Sequence, residues 1–183
     1  MCARIAPALE AVEYITQDFS DAFNSTSIYR GPPTRELEDA WEKLTFKHAI
    51  EVPEDKIHGL NRTEADHLRR VPSDVGTGYV ALIEVFHQLH CLNLIRRYTW
   101  FQAGKYDYIP IGLSDNPLKN RMHVDHCFEA LRISLQCFGD VTPLFIREDP
   151  DAPAGARADF DTHHKCRNFE KLEEWIDTKW VVY

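Results

Sequence analysis

Apolar residues recur at helical spacing in some stretches of this chain, fill a long stretch on more than one face, and alternate with polar residues elsewhere. Through residues 34–44, Leu37, Trp41 and Leu44 fall three to four positions apart. This predicts a short amphipathic helix, with Thr34 as its N-cap and Glu36 and Glu38 in a favourable acidic first turn. Residues 79–98 contain no Gly or Pro and are apolar on more than one face, which predicts a central helix. A second long helix is expected from Lys119 to Phe138, closed by Gly139. Behind a cap at Asn168, Phe169, Leu172 and Ile176 can share the inward face of a last short helix.

The connecting stretches read differently. The first thirty residues suggest a strand or an irregular arm, because residues 12–16 and 27–29 interleave β-branched and aromatic side chains with polar ones. Gly31-Pro32-Pro33 breaks the chain, and Pro53 suits the first position of a further helical turn. Residues 72–78, 104–117 and 149–159 are rich in turn formers and read as loops. The expected fold is therefore mainly α. It is a compact helical domain spanning residues 1–183, with two central helices, an irregular N-terminal arm over residues 1–30, and room for a small β element.

Composition narrows the class. A chain of 183 residues, 44% hydrophobic and 27% charged, suits one soluble globular domain. A net charge of −8 argues against nucleic acid as a partner, since a phosphate track needs clustered Lys and Arg. The first ten residues lack the apolar core of a signal peptide and no stretch approaches a membrane span, so the chain reads as soluble as written. The cysteines and the sequons at Asn24 and Asn61 suit an oxidising secretory compartment instead, and location stays open between the two.

The candidate chemistry lies in a duplication. His-x-x-His-Cys occurs as His87-Gln88-Leu89-His90-Cys91 and again as His123-Val124-Asp125-His126-Cys127, and the match continues to Ile95-Arg96 and Leu131-Arg132. Histidines three apart on a helix project from one face, roughly 5–6 Å apart at Cβ. Two such helices side by side would bring four imidazoles to one centre. Imidazole suits zinc, copper, nickel and non-haem iron alike, so the residues alone do not choose the metal. Each Cys follows its second His, about 100° round the helix, which makes it a core residue or a disulfide partner near the metal rather than a ligand beside that His. Asp125 is placed either to orient an imidazole or to stay solvated on the far face. His48, His58 and His67 have no partner motif and read as surface residues, and His163 as a neighbour of His164. Trp41 and Trp175 read as core anchors, while Phe101, Tyr106 and Tyr108 suit either the core or a pocket wall.

Beyond the motifs, the chain resembles the UstYa-like proteins of fungal natural-product biosynthesis. The resemblance runs through Tyr29-Arg30-Gly31-Pro32-Pro33 with residues 36–41, both His-x-x-His-Cys copies, Leu135-Gln136-Cys137, Asp140-Val141-Thr142-Pro143, and His164-Lys165-Cys166-Arg167-Asn168-Phe169. It implies an oxidative tailoring enzyme of secondary-metabolite or ribosomal-peptide biosynthesis, copper-dependent and using O2, that functionalises C–H bonds by cyclisation, hydroxylation, desaturation or halogenation. By match to the motif, His87, His90, His123 and His126 would be the catalytic metal ligands, joined by His164. The substrate would be a small molecule or peptide, one copper or two would be held, and a homodimer is left open. Members of the family usually carry an N-terminal membrane anchor ahead of the stretch like Tyr29 onward, and this sequence shows none there.

Two other classes compete: a redox-neutral cyclase or isomerase using a histidine, with or without Asp125, for acid–base chemistry, and a zinc-stabilised interaction protein. For the cysteines, a Cys137–Cys166 disulfide would tie the C-terminal arm to the helical core. A Cys91–Cys127 bridge would form if the motif helices pack face to face, with Cys2 unpaired; the alternative is that all remain reduced.

Overall fold

The computed structural model describes residues 6–152 and 154–182. It corrects the expectation of a mainly α fold: the described residues form four α-helices and seven short strands in three small antiparallel sheets, a mixed α/β architecture. Of the strands only the first, within the N-terminal stretch expected as a strand or irregular arm, was placed by the sequence reading; the others are three to five residues long, and most find their partners far along the chain. Strand β1 (Tyr14–Asp18) is exposed throughout and pairs with β6 (His163–Arg167), Tyr14 opposite Arg167 and Gln17 opposite His164. The β-branched and aromatic residues of β1 mark it as a strand although neither face is buried. In the second sheet, β2 (Ala49–Val52) lies between β3 (Tyr79–Ala81) and the C-terminal β7 (Trp180–Val182). The third is a hairpin of β4 (Ile146–Glu148) and β5 (Ala156–Ala158), which occupies part of the segment expected to be a loop.

The helices follow their predicted signals more closely. Helix α1 (Arg35–Thr45) is capped by Thr34, whose Oγ1 accepts the Leu37 N–H at 3.2 Å, and it buries Leu37 and Trp41. Helix α2 (Glu84–Gln102) begins later than expected because residues 79–81 are drawn into β3. Helix α3 (Pro117–Phe138) starts with Pro117 at its first position. The Asn116 side chain accepts from the Leu118 and Lys119 amides, and Gly139 ends the helix in the left-handed region. Helix α4 (Phe169–Lys179) follows Asn168, whose side chain makes no capping bond; its backbone N–H is held by the Glu13 carbonyl at 2.8 Å instead.

Helix α2 is apolar on more than one face because it serves two cores. On one side Cys91 and Leu94 pack against Val124 and Cys127 of α3, all at most 2% exposed, with Ile95, Tyr98 and Leu131 around them. On another, Phe86 packs with Ile50 of β2 and Ile176 of α4. Each fully buried aliphatic side chain contributes about 1.5–3 kcal/mol. Helix α1 is tied to α2 by Glu38, which accepts from Arg96 at 2.7 Å, Arg97 at 3.0 Å and the Tyr106 hydroxyl at 2.7 Å. Tyr106 thus fastens the α2–α3 loop to α1. Burial and then Glu38 push its phenol up to about 12. Trp41 is the core anchor the sequence suggested, with Arg96 over its ring at 5.4 Å.

Candidate metal centre

The i, i+3 histidine pairs lie along the seam where α2 and α3 pack in opposite directions. His87 faces His126 with ring centroids 5.7 Å apart, and His90 faces His123 at 6.3 Å. All four imidazoles predicted from the duplicated motif are therefore brought together, as two pairs that each cross from one helix to the other.

Two of the rings are anchored. The Glu84 carboxylate lies 3.2 Å from His87 Nδ1, and the Gly112 carbonyl lies 3.1 Å from His123 Nδ1. Both partners only accept, so each Nδ1 carries the proton and each Nε2 presents a lone pair. One ring of each cross-helix pair is thus held in the tautomer that offers Nε2 to a metal. Gly112 has φ +90, and a Cβ there would come within 2.7 Å of Leu94 Cδ1, so glycine lets the loop press on α2 and aim this carbonyl at His123. Buried Asn120 fixes the same loop by accepting from the Ser114 amide and donating to its carbonyl, each at 2.8 Å.

Below the histidines the two motif cysteines touch. Cys91 and Cys127 are both fully buried and both free thiols. Burial, reinforced by the Cys91 thiol, pushes Cys127 up to about 12, so it stays a neutral thiol. Cys91 Sγ lies 3.7 Å from His87 Nε2. Potential donor atoms of His87, Cys91 and His126 all fall within 4.8 Å of one another. The motif cysteines are core residues, as one of the two expectations had it, and Cys91 also comes within reach of a shared ion. Cys91 shares a helix face with His87 one turn earlier rather than with adjacent His90. An imidazole-rich donor set with an adjacent thiol fits copper or zinc. Burial, then the neighbouring His123 and His87, hold His90 below its ordinary pKa, which favours the neutral form a ligand needs.

Other expected site residues lie elsewhere. Asp125 is half exposed and pairs with Arg121 at 2.8 Å, so it orients none of the four rings; Glu84 and Gly112 hold that role. His164 sits in the β1–β6 ribbon, where its ring nitrogens meet Asp140 and Thr162. Cys137 is exposed at the end of α3 and Cys166 is on β6, and both are free thiols, so neither expected disulfide is formed. Cys2 lies outside the described residues. A glutamate three residues ahead of a helical histidine was visible in the sequence; a carbonyl from a left-handed glycine was not.

The family model for the mycotoxin biosynthesis protein UstYa matches residues 3–179. The chain belongs to the UstYa family. One relative, Transacylase cctO from Talaromyces islandicus, is 45% identical over 92% of this chain and 58% of its own length. The UstYa family oxidase phomYc from Diaporthe leptostromiformis is 37% identical over 93% of the chain and 67% of its own length, and aprY from Aspergillus flavus 28% over 93% and 54%. This UstYa chain thus spans about three-fifths of the length of such relatives. No solved structure matches it. Among its described residues, no helix is long and apolar enough to cross a membrane.

Proposed function

We propose that this chain is a copper-dependent oxidative tailoring enzyme that acts on a small-molecule or peptide natural product at the His87, His90, His123 and His126 centre. The observation that carries the reading is the meeting of the two motif copies in paired imidazoles across the α2–α3 seam. Relatives named as UstYa family oxidases support the oxidative class. Copper held by these histidines, with Cys91 beside His87, would supply one-electron redox chemistry with O2 as co-substrate. The chain's own residues prepare the ligands: Glu84 and Gly112 accept hydrogen bonds from the Nδ1–H groups of His87 and His123 and leave their Nε2 lone pairs free. Exposed His90 and His126 leave the centre open on one side, which suits a substrate as large as a peptide. Whether the product is cyclised, hydroxylated, desaturated or halogenated is then set by what packs beside that opening.

Metal analysis of protein purified without added metal tests the proposal. Near-stoichiometric copper, lost in His87→Ala together with turnover, is the expected result; zinc without turnover rejects it.

The relative named a transacylase favours a second, redox-neutral reading, in which histidine acid–base chemistry moves an acyl group and no electrons change hands.

A further inference from the structure

We propose that Thr162, His164 and Asp140 form an acyl-transfer relay in the β1–β6 ribbon, separate from the histidine seam, with Thr162 Oγ1 as the nucleophile. It rests on the redox-neutral reading above. His164 Nδ1 lies 3.1 Å from Asp140 Oδ2, and its Nε2 lies 3.0 Å from Thr162 Oγ1. The direction of these bonds follows from the acceptor. Hydrogen bonds from Thr142, and then from His164, hold the Asp140 carboxyl below its ordinary range, so it is ionised and can only accept. Nδ1 therefore carries the ring proton, Nε2 is the free base, and the Thr162 hydroxyl donates to it. That order of carboxylate, imidazole and hydroxyl is the one that activates nucleophiles on several unrelated folds.

Further contacts fix the geometry. The Phe19 ring stacks on His164 at 3.6 Å with 10° between planes, and the Phe19 N–H donates to the Thr162 carbonyl at 3.0 Å. One residue of the N-terminal arm thereby clamps both base and nucleophile. The His164 side chain is only 12% exposed, and its bond to Thr162 is partly buried, while Asp140 stays open to solvent. Immediately before Thr162, Phe160 and Asp161 line a cleft of about 230 Å³. There Phe23 and Phe160 meet edge to face at 5.4 Å and offer an apolar wall for an acyl chain.

The chemistry balances without a metal or an oxidant. Thr162 Oγ1 bonds to the acyl carbon as its proton passes to His164 Nε2. The donor's acyl C–O or C–N bond breaks, and His164 gives that proton to the departing oxygen or nitrogen. An amine or hydroxyl acceptor then attacks the acyl-threonine and loses its proton to His164, which returns it to Thr162. Thr162 and His164 are the catalytic residues, and Asp140 is a positioning residue.

The test uses p-nitrophenyl acetate as donor and glycinamide as acceptor, with peptide mapping of the acetylated chain. A burst of p-nitrophenolate with acetyl on Thr162 is expected, lost in Thr162→Val and kept in Thr162→Ser. His164→Gln should slow acylation about 10²–10⁴-fold. Asp140→Asn should slow it too, with the half-saturating ester concentration unchanged. Acetyl on any other residue, no acetyl on the parent protein, or a burst that survives Thr162→Val overturns the relay. Acetyl-glycinamide formed above the uncatalysed rate by Thr162→Val would overturn the relay while sparing the redox-neutral reading; none formed by the parent protein counts against both.

Discussion

The α2–α3 seam and the β1–β6 ribbon place histidines by opposite means. In the seam, each histidine pair is set by helical periodicity within a few residues, and the seam is closed by fully buried Cys91, Cys127 and Val124. In the ribbon, β1 is exposed throughout and its register with β6 joins positions almost at opposite ends of the chain. Local periodicity gives a rigid platform whose chemistry is written in the spacing. Long-range pairing gives a clamp whose chemistry emerges only when distant segments meet, as with Phe19, Asp140, Thr162 and His164.

If the seam is the metal platform, His126→Ala should abolish metal-dependent turnover while far-ultraviolet circular dichroism stays unchanged, because the apolar core beneath survives. A variant that keeps both copper and turnover would break the contrast between the two regions at its strongest point. Leu94→Ala, 2% exposed in the parent, should lower unfolding stability by about 2–5 kcal/mol in urea titration, through lost burial and a residual cavity.

Glu38→Gln should cost about 2 kcal/mol, since Arg96 and Arg97 lose their shared partner in a partly buried setting. Its pH dependence has a definite sign. Burial raises the Glu38 carboxyl, but the Tyr106 hydroxyl and the two arginines outweigh it and hold it below 4.5. The stabilisation is therefore fully present above the unfolded value and fades as pH falls through the lower folded one. Acid titration of Glu38→Gln should show a flatter loss below about pH 5 than the parent.

Glu84→Ala should weaken metal binding about 10–100-fold in competition with a chelator, by freeing the His87 ring. The smallest effect belongs to the ribbon. Asp18→Ala removes an exposed contact to His163 at 2.6 Å and should change stability by less than about 1 kcal/mol in the same urea assay. A larger loss would show that the ribbon is more than a surface clamp.

What the sequence revealed follows the same division. The helices were legible because their caps and apolar faces are local: Thr34 and Gly139 each mark an observed boundary, while Pro117, read as the end of a loop, in fact opens α3. The four seam histidines were legible for the same reason. Which histidine faces which was not, because it depends on the opposite directions of α2 and α3. Short segments such as Trp180–Val182 become strands only because β2 offers an edge, whereas the β4–β5 hairpin was hidden by its turn-rich connection. Of the two places open to Asp125 the structure takes the solvated one, where Arg121, four residues earlier, pairs with it.

The opposed pairing of His87 with His126 and His90 with His123 makes the seam nearly indifferent to exchange of its two halves. A rotation by half a turn carries His87 onto His123 and His90 onto His126, so the two motif copies meet as the halves of an isologous interface would, within one chain. The likeness stops at the anchors: one half holds its ring with a carboxylate on its own helix, the other with a backbone carbonyl from a loop, which strict two-fold symmetry would forbid.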